Sequence, residues 1–201
     1  MTVSITRADL LKRGARGGAG LAVAGGAFAT LAAAASADPL SVQDLAYVRL
    51  LVGAELLASD FYGQAIAASN TSASTMSYLK RAYFNEQEHY QSVAGILIGA
   101  GVTPAVSGDI EFAYPAGTFA DQASIVKAAN SLEAIVLGSY LGAMGGMASN
   151  AYKTGLAQIA ACEAQHASFF TTQLGGKAFN LSFPPALTIE QATAGMAAFT
   201  S

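Results

Sequence analysis

The sequence predicts an all-α protein: a four-helix bundle with one long crossover between helices 2 and 3 and a short C-terminal tail. Three observations lead there. Long helix-compatible stretches are joined by short turns between helices 1 and 2 and between helices 3 and 4. A Pro- and Gly-punctuated stretch, Val102–Ala120, separates the two pairs. Each pair also repeats one pattern, a glutamate inside an apolar run followed about 30 residues later by Glu-x-x-His.

The elements follow in chain order. Helix 1 is expected from about Ser41 to Ala68, with Ser41 as N-cap and Asp44 in the first turn, where a carboxylate favours the positive end of the helix dipole. Ser69-Asn70-Thr71-Ser72 ends it. Helix 2 is expected from about Ser74 to Ala100, stopped by Gly101 with Pro104 beyond. Pro104, Gly108, Pro115 and Gly117 leave Val102–Ala120 without helical periodicity. So long a connection is unusual in one domain, unless helices 2 and 3 run the same way and the chain must cross the bundle length. Helix 3 is expected from about Asp121 to Ser149, and helix 4 from Asn150 to Leu174, before Gly175-Gly176. Phe183-Pro184-Pro185 reads as extended, and a short helix is expected from Thr188, with Gln191 in the capping-box position. Short loop, long crossover, short loop is a bundle with one crossover.

The chain has 201 residues, which fits one domain. Its mean hydropathy of +0.41 comes mainly from its many alanines. Beyond residue 37, charged or polar residues break each apolar run before the roughly 18–20 residues a membrane span needs. Residues 1–37 read as an export signal. Arg7, Lys12, Arg13 and Arg16 precede an Ala/Gly-rich segment, and Ala35-Ser36-Ala37 is a small-x-small cleavage site. Thr6–Lys12 resembles a twin-arginine signal with Ala8 in place of the second arginine. The expected mature domain is residues 38–201, periplasmic or secreted; retention of the segment as an anchor is the alternative. Without residues 1–37, twelve acidic residues face six basic ones, a formal charge of −6. No basic stripe remains, which argues against nucleic acid as a partner. The single cysteine, Cys162, excludes an internal disulfide and a Cys-x-x-Cys metal site; beside Glu163 it could approach a metal cluster, but a small buried thiol is the expectation.

Both histidines lie three residues after a glutamate, in Glu86-Gln87-Glu88-His89 and Glu163-Ala164-Gln165-His166. With seven glutamates in the chain, that coincidence has a chance on the order of a few per thousand. Positions i and i+3 share a helix face, so each motif aims a carboxylate and an imidazole at one point. Glu55 precedes Glu86 by 31 residues and Glu133 precedes Glu163 by 30, each among apolar neighbours. An ionised carboxylate is costly to bury there unless it is paired or binds metal. Four carboxylates and two imidazoles from four helices can build a two-metal site in a bundle core. Glu88, about 200° around the helix from Glu86, is left out. Tyr62 and Tyr140 each follow a pattern glutamate by seven residues, two turns along the same stripe. Asp60, Arg81 and Gln165 are weaker neighbours.

Over about Ser41–Leu174 the pattern resembles the ferritin-like superfamily of di-iron carboxylate proteins, and in particular its exported members, which include desiccation-related proteins. The resemblance implies that Glu55 and His89 serve one metal, Glu133 and His166 the other, and that Glu86 and Glu163 bridge the pair. It implies two Fe ions, with Mn as alternative. It also implies that Tyr62 and Tyr140 hydrogen-bond a ligand carboxylate or supply an electron; core aromatics are the other reading. The implied activity is ferroxidase- or peroxidase-like reaction with O2 or H2O2, with a separate reductant for turnover. The alternative is a metal-binding or stress-associated structural protein without turnover. A homodimer is the base-rate assembly.

Overall fold

Ser41 begins the first helix as expected. In the computed structural model, which describes residues 40–178 and 181–199, α1 spans Val42–Ala68, and Ser41 and Asp44 form a reciprocal capping box. Asp44 is buried and its other oxygen accepts from the Ala148 backbone N–H at 2.7 Å. One carboxylate therefore fixes the start of α1 and the turn after the third helix. The chain leaves α1 through Ser69, which is left-handed at φ 56°.

Helix α2 spans Ala73–Gly99, with Ser72 as N-cap in place of a start at Ser74. Its end is the one the Gly-then-Pro signal predicts. Gly101 takes φ 73°, and the N–H groups of Gly101 and Val102 donate to Ile98 and Leu97 carbonyls, the Schellman pattern that satisfies the last turn.

The crossover can be followed by its anchors. Tyr90 donates to the Ala105 carbonyl near the end of α2, Tyr114 donates to Asp60 on α1, and Asn70 donates to the Phe119 carbonyl. Gln122 then accepts from the Ser72 N–H at the start of α2. The chain has thus returned along the bundle, so α3 starts beside α2 and runs in its direction. A three-residue 3-10 turn, Ser107–Asp109, is the helical part of this stretch.

Helix α3 spans Gln122–Gly146, capped by Asp121, and α4 spans Lys153–Gln173. The expectation that α3 reaches Ser149 and that α4 starts at Asn150 is corrected here. Gly145-Gly146 weakens the last turn, Met147 is extended, and Asp44 captures the next free N–H. Gly146 is also required by contact: an added Cβ would lie 2.2 Å from the Tyr47 hydroxyl.

The tail forms α5, Ile189–Met196, with the Thr188–Gln191 capping box in place, followed by a 3-10 turn, Ala197–Phe199. Leu187 N–H donates to the Gly138 carbonyl, and a Cβ on Gly142 would lie 1.8 Å from the Leu187 oxygen. Glycines on α3 therefore admit the tail backbone. The Phe199 carbonyl accepts from Ala113 N–H, tying the tail to the crossover.

Among the described residues the fold is all-α with one continuous core, including Leu51, Phe61, Leu79, Ile125, Leu132, Leu156 and Phe170. Each such side chain contributes roughly 1.5–3 kcal/mol through burial, which offsets the charged groups the core encloses. No described helix is long and apolar enough to cross a membrane. The expected export signal, residues 1–37, lies outside the described residues.

Candidate metal centre

Each helix of the bundle sends its motif residues inward at the same level. Glu55 from α1, Glu86 and His89 from α2, Glu133 from α3, and Glu163 and His166 from α4 all converge. The four glutamates are fully buried, and His89 and His166 are 9% and 2% exposed. Their ligand atoms form two overlapping sets: Glu55, Glu86, His89 and Glu163, and Glu86, Glu133, Glu163 and His166. In each set all atoms lie within 4.8 Å of one another.

The shared members are Glu86 and Glu163, and each splits its oxygens between the imidazoles. His89 Nδ1 lies 2.7 Å from Glu163 Oε1 and 3.4 Å from Glu86 Oε2. His166 Nδ1 lies 2.9 Å from Glu86 Oε1 and 3.3 Å from Glu163 Oε2. Glu55 approaches only His89, at 3.8 Å, and Glu133 only His166, at 3.5 Å. The halves are related as by a twofold axis, which is what the sequence repeat becomes in space.

Two tyrosines brace the outer carboxylates, crosswise. Tyr62 of α1 donates to Glu133 Oε1 on α3, and Tyr140 of α3 donates to Glu55 Oε1 on α1. The sequence put each tyrosine on the stripe of its own helix's glutamate; its partner is the glutamate of the opposite helix. Burial, with the carboxylates next, raises both phenol pKa values, so the hydroxyls stay protonated and act as donors. Removing either should leave a buried oxygen unpaired. Tyr62→Phe and Tyr140→Phe are each expected to weaken metal binding by about 10–100-fold, read by Fe(II) titration under anaerobic conditions. By symmetry the two losses should be of similar size.

The remaining inward atoms have no hydrogen-bond partner outside the cluster itself. Glu55 Oε2, Glu133 Oε2, both oxygens of Glu86 and of Glu163, and both Nδ1 atoms are buried without a hydrogen bond, despite the short approaches above. Thr71 Oγ1 is the remaining atom in that condition among the described residues. Buried polar atoms are nearly always satisfied, so a cluster of orphans converging on one point fits cations. The charge fits as well. Four carboxylates balance two divalent ions, whereas without them like charges crowd together. Burial first, then Glu86 and Glu163, raises Glu55; burial first, then Glu163, raises Glu133. Burial opposes protonation of the histidines, but the Cys162 sulfur and the surrounding carboxylates outweigh it and raise both. Burial would raise Glu163 too, yet the two imidazoles hold it below its usual range.

Cys162 is less enclosed than the expected buried thiol and takes the alternative course, an approach to the cluster. It is half-buried and lies 3.6 Å from His166 Nε2. Asn85, not singled out in the sequence, lies 3.1 Å from the same Nε2. The available signal was its position: Asn85 and Cys162 each directly precede the glutamate of a Glu-x-x-His motif. Tyr78, edge-on to His166 and stacked on Phe169, was missed too. The weaker neighbours sit at the periphery. Asp60 binds Tyr114 and Gln64, Arg81 lies over Phe84, and the Gln165 amide donates to the Ala161 carbonyl of its own helix.

A four-helix bundle with one crossover, enclosing a symmetric set of four carboxylates and two imidazoles, defines a class of carboxylate-centred helical proteins. A family model described as the ferritin-like domain matches residues 43–176, and the chain belongs to that family. No curated protein matches it.

Proposed function

We propose that this protein is an exported ferritin-like protein whose buried centre holds two iron ions, with manganese as the alternative. The converging set of buried oxygens and Nδ1 atoms, with no hydrogen-bond partner outside the cluster, carries the reading. Glu86 and Glu163 would bridge the cations; Glu55 with His89 and Glu133 with His166 would complete the two ends. Carboxylate and imidazole donors suit Fe and Mn.

Iron held by these residues would supply the electrons for reduction of O2 or H2O2, and we assign the protein a ferroxidase- or peroxidase-like reaction. The chain's own groups set the conditions. Tyr62 and Tyr140 fix Glu133 and Glu55 from behind, and the apolar walls keep bulk water away. His89 is the least buried of the six, so its side of the site is the natural approach for a small oxidant. The basic segment and small-residue cleavage site at residues 1–37 support export to the periplasm or beyond, and the reductant would come from that compartment.

The test is an oxygen or peroxide pulse on the anaerobically Fe(II)-loaded protein. Oxidant consumption tied to the bound iron is expected, with a ferric absorption band growing in. Metal retained with no oxidant consumed would favour a stress- or desiccation-associated structural protein instead.

A further inference from the structure

The second motif's imidazole is held from behind by a group the ligand pattern does not include. α2 and α4 stand further apart than α1 and α2 or α3 and α4, and Asn85 and Cys162 reach into the space between them. Asn85 Nδ2 lies 3.1 Å from His166 Nε2 and 3.4 Å from Cys162 Sγ. His89 has no matching amide, because Cys162 stands where the repeat would put Asn85's counterpart, and its sulfur lies 3.6 Å from His166 Nε2. His89 is also the more open ring, its side chain 11% exposed against 3% for His166.

The chemistry of the amide suits the place. A cation on Nδ1 leaves the ring proton on Nε2, so whatever faces Nε2 must accept it. The planar amide of Asn85 carries an oxygen and a nitrogen on interchangeable positions, so turning it presents the oxygen as acceptor. A partner of that kind fixes the tautomer and ring orientation of a ligating histidine.

Building on the two-cation reading, we infer that Asn85 is a positioning residue for His166 and that it makes the two metal positions unequal. The position shared by His166 and Glu133 binds more tightly; the one shared by His89 and Glu55 is looser and exchanges first.

The experiment is titration of the full-length protein with Co(II), followed by visible absorption, for wild type, Asn85→Leu and Asn85→Asp. Thermal unfolding of each cation-free protein is measured alongside. Wild type should take up two Co(II) in unequal steps. Asn85→Leu should weaken the tighter step by about 10–100-fold and leave the other, with the cation-free protein still folded at the titration temperature. Asn85→Asp keeps an acceptor at that place and should restore the tight step; should the leucine variant not fold, Asn85→Ala replaces it in the comparison. Two wild-type steps in the leucine variant, equal loss of both, or no recovery with aspartate would overturn the inference. Failure of wild type to bind Co(II) at all would instead remove the two-cation reading beneath it.

Discussion

Replacing Glu86 and Glu163 together with alanine is expected to abolish binding of both cations, a larger effect than any other change at the site. Each carboxylate sends one oxygen toward His89 and the other toward His166, so each belongs to both ligand sets. Glu55 belongs to one set only, as does Glu133. The expected pattern is therefore graded. Glu55→Ala should cost one cation and leave the second in place. Glu86→Ala/Glu163→Ala should lose both, far beyond the about 10–100-fold expected of an outer group. Metal analysis after anaerobic loading and desalting reads the stoichiometry directly. Equal loss from Glu55→Ala and from the double variant would contradict the bridging geometry.

The second large effect is on stability against pH in the cation-free protein. Glu55 and Glu133 are raised above their ordinary value of 4.5 by burial and then by neighbouring carboxylates. Both imidazoles are raised above 6.5 by the thiol and carboxylates around them, against the pull of burial. From about pH 4.5 upward these four groups then hold more protons in the folded chain than in the unfolded one, Cys162, lowered from 9.0, opposing them only toward the alkaline end. Stability falls as pH rises wherever the folded state binds more protons. The cation-free protein should accordingly unfold at a lower temperature at pH 8 than at pH 5. Glu163 acts oppositely, its contribution being lost only in strong acid as pH falls toward about 2. Cations reverse the trend, because they bind the deprotonated ligands and their affinity grows with pH. The gain in unfolding temperature on loading should thus widen from pH 5 to pH 8. Glu55→Gln/Glu133→Gln keeps acceptors for Tyr140 and Tyr62 and should flatten the cation-free profile, checked by calorimetry across that range.

How much of this was legible in the sequence depends on how local each cause is. Caps are local, so Ser41 with Asp44 and Thr188 with Gln191 were readable from side chains a turn apart, whereas Asp121, expected as the first helical residue, is the N-cap of α3. The crossover was readable because prolines and glycines leave no other structure for Val102–Ala120. The six inward residues were readable because helical period and chain repeat both point to them. What was not legible depends on contacts across the bundle. The last turn of α3 is cut short by Asp44, more than a hundred residues away in the chain. The crossed pairing of Tyr62 with Glu133 and of Tyr140 with Glu55 requires knowing that α1 and α3 face each other. Asn85 looks like an ordinary polar residue until α4 places His166 beside it.

The most direct test of the central claim is native mass spectrometry of the purified protein after anaerobic Fe(II) loading. Two iron ions per chain, absent from the Glu86→Ala/Glu163→Ala variant, is the result this structure predicts. No bound iron, or two ions retained by that variant, would show that the six converging side chains are not a metal centre.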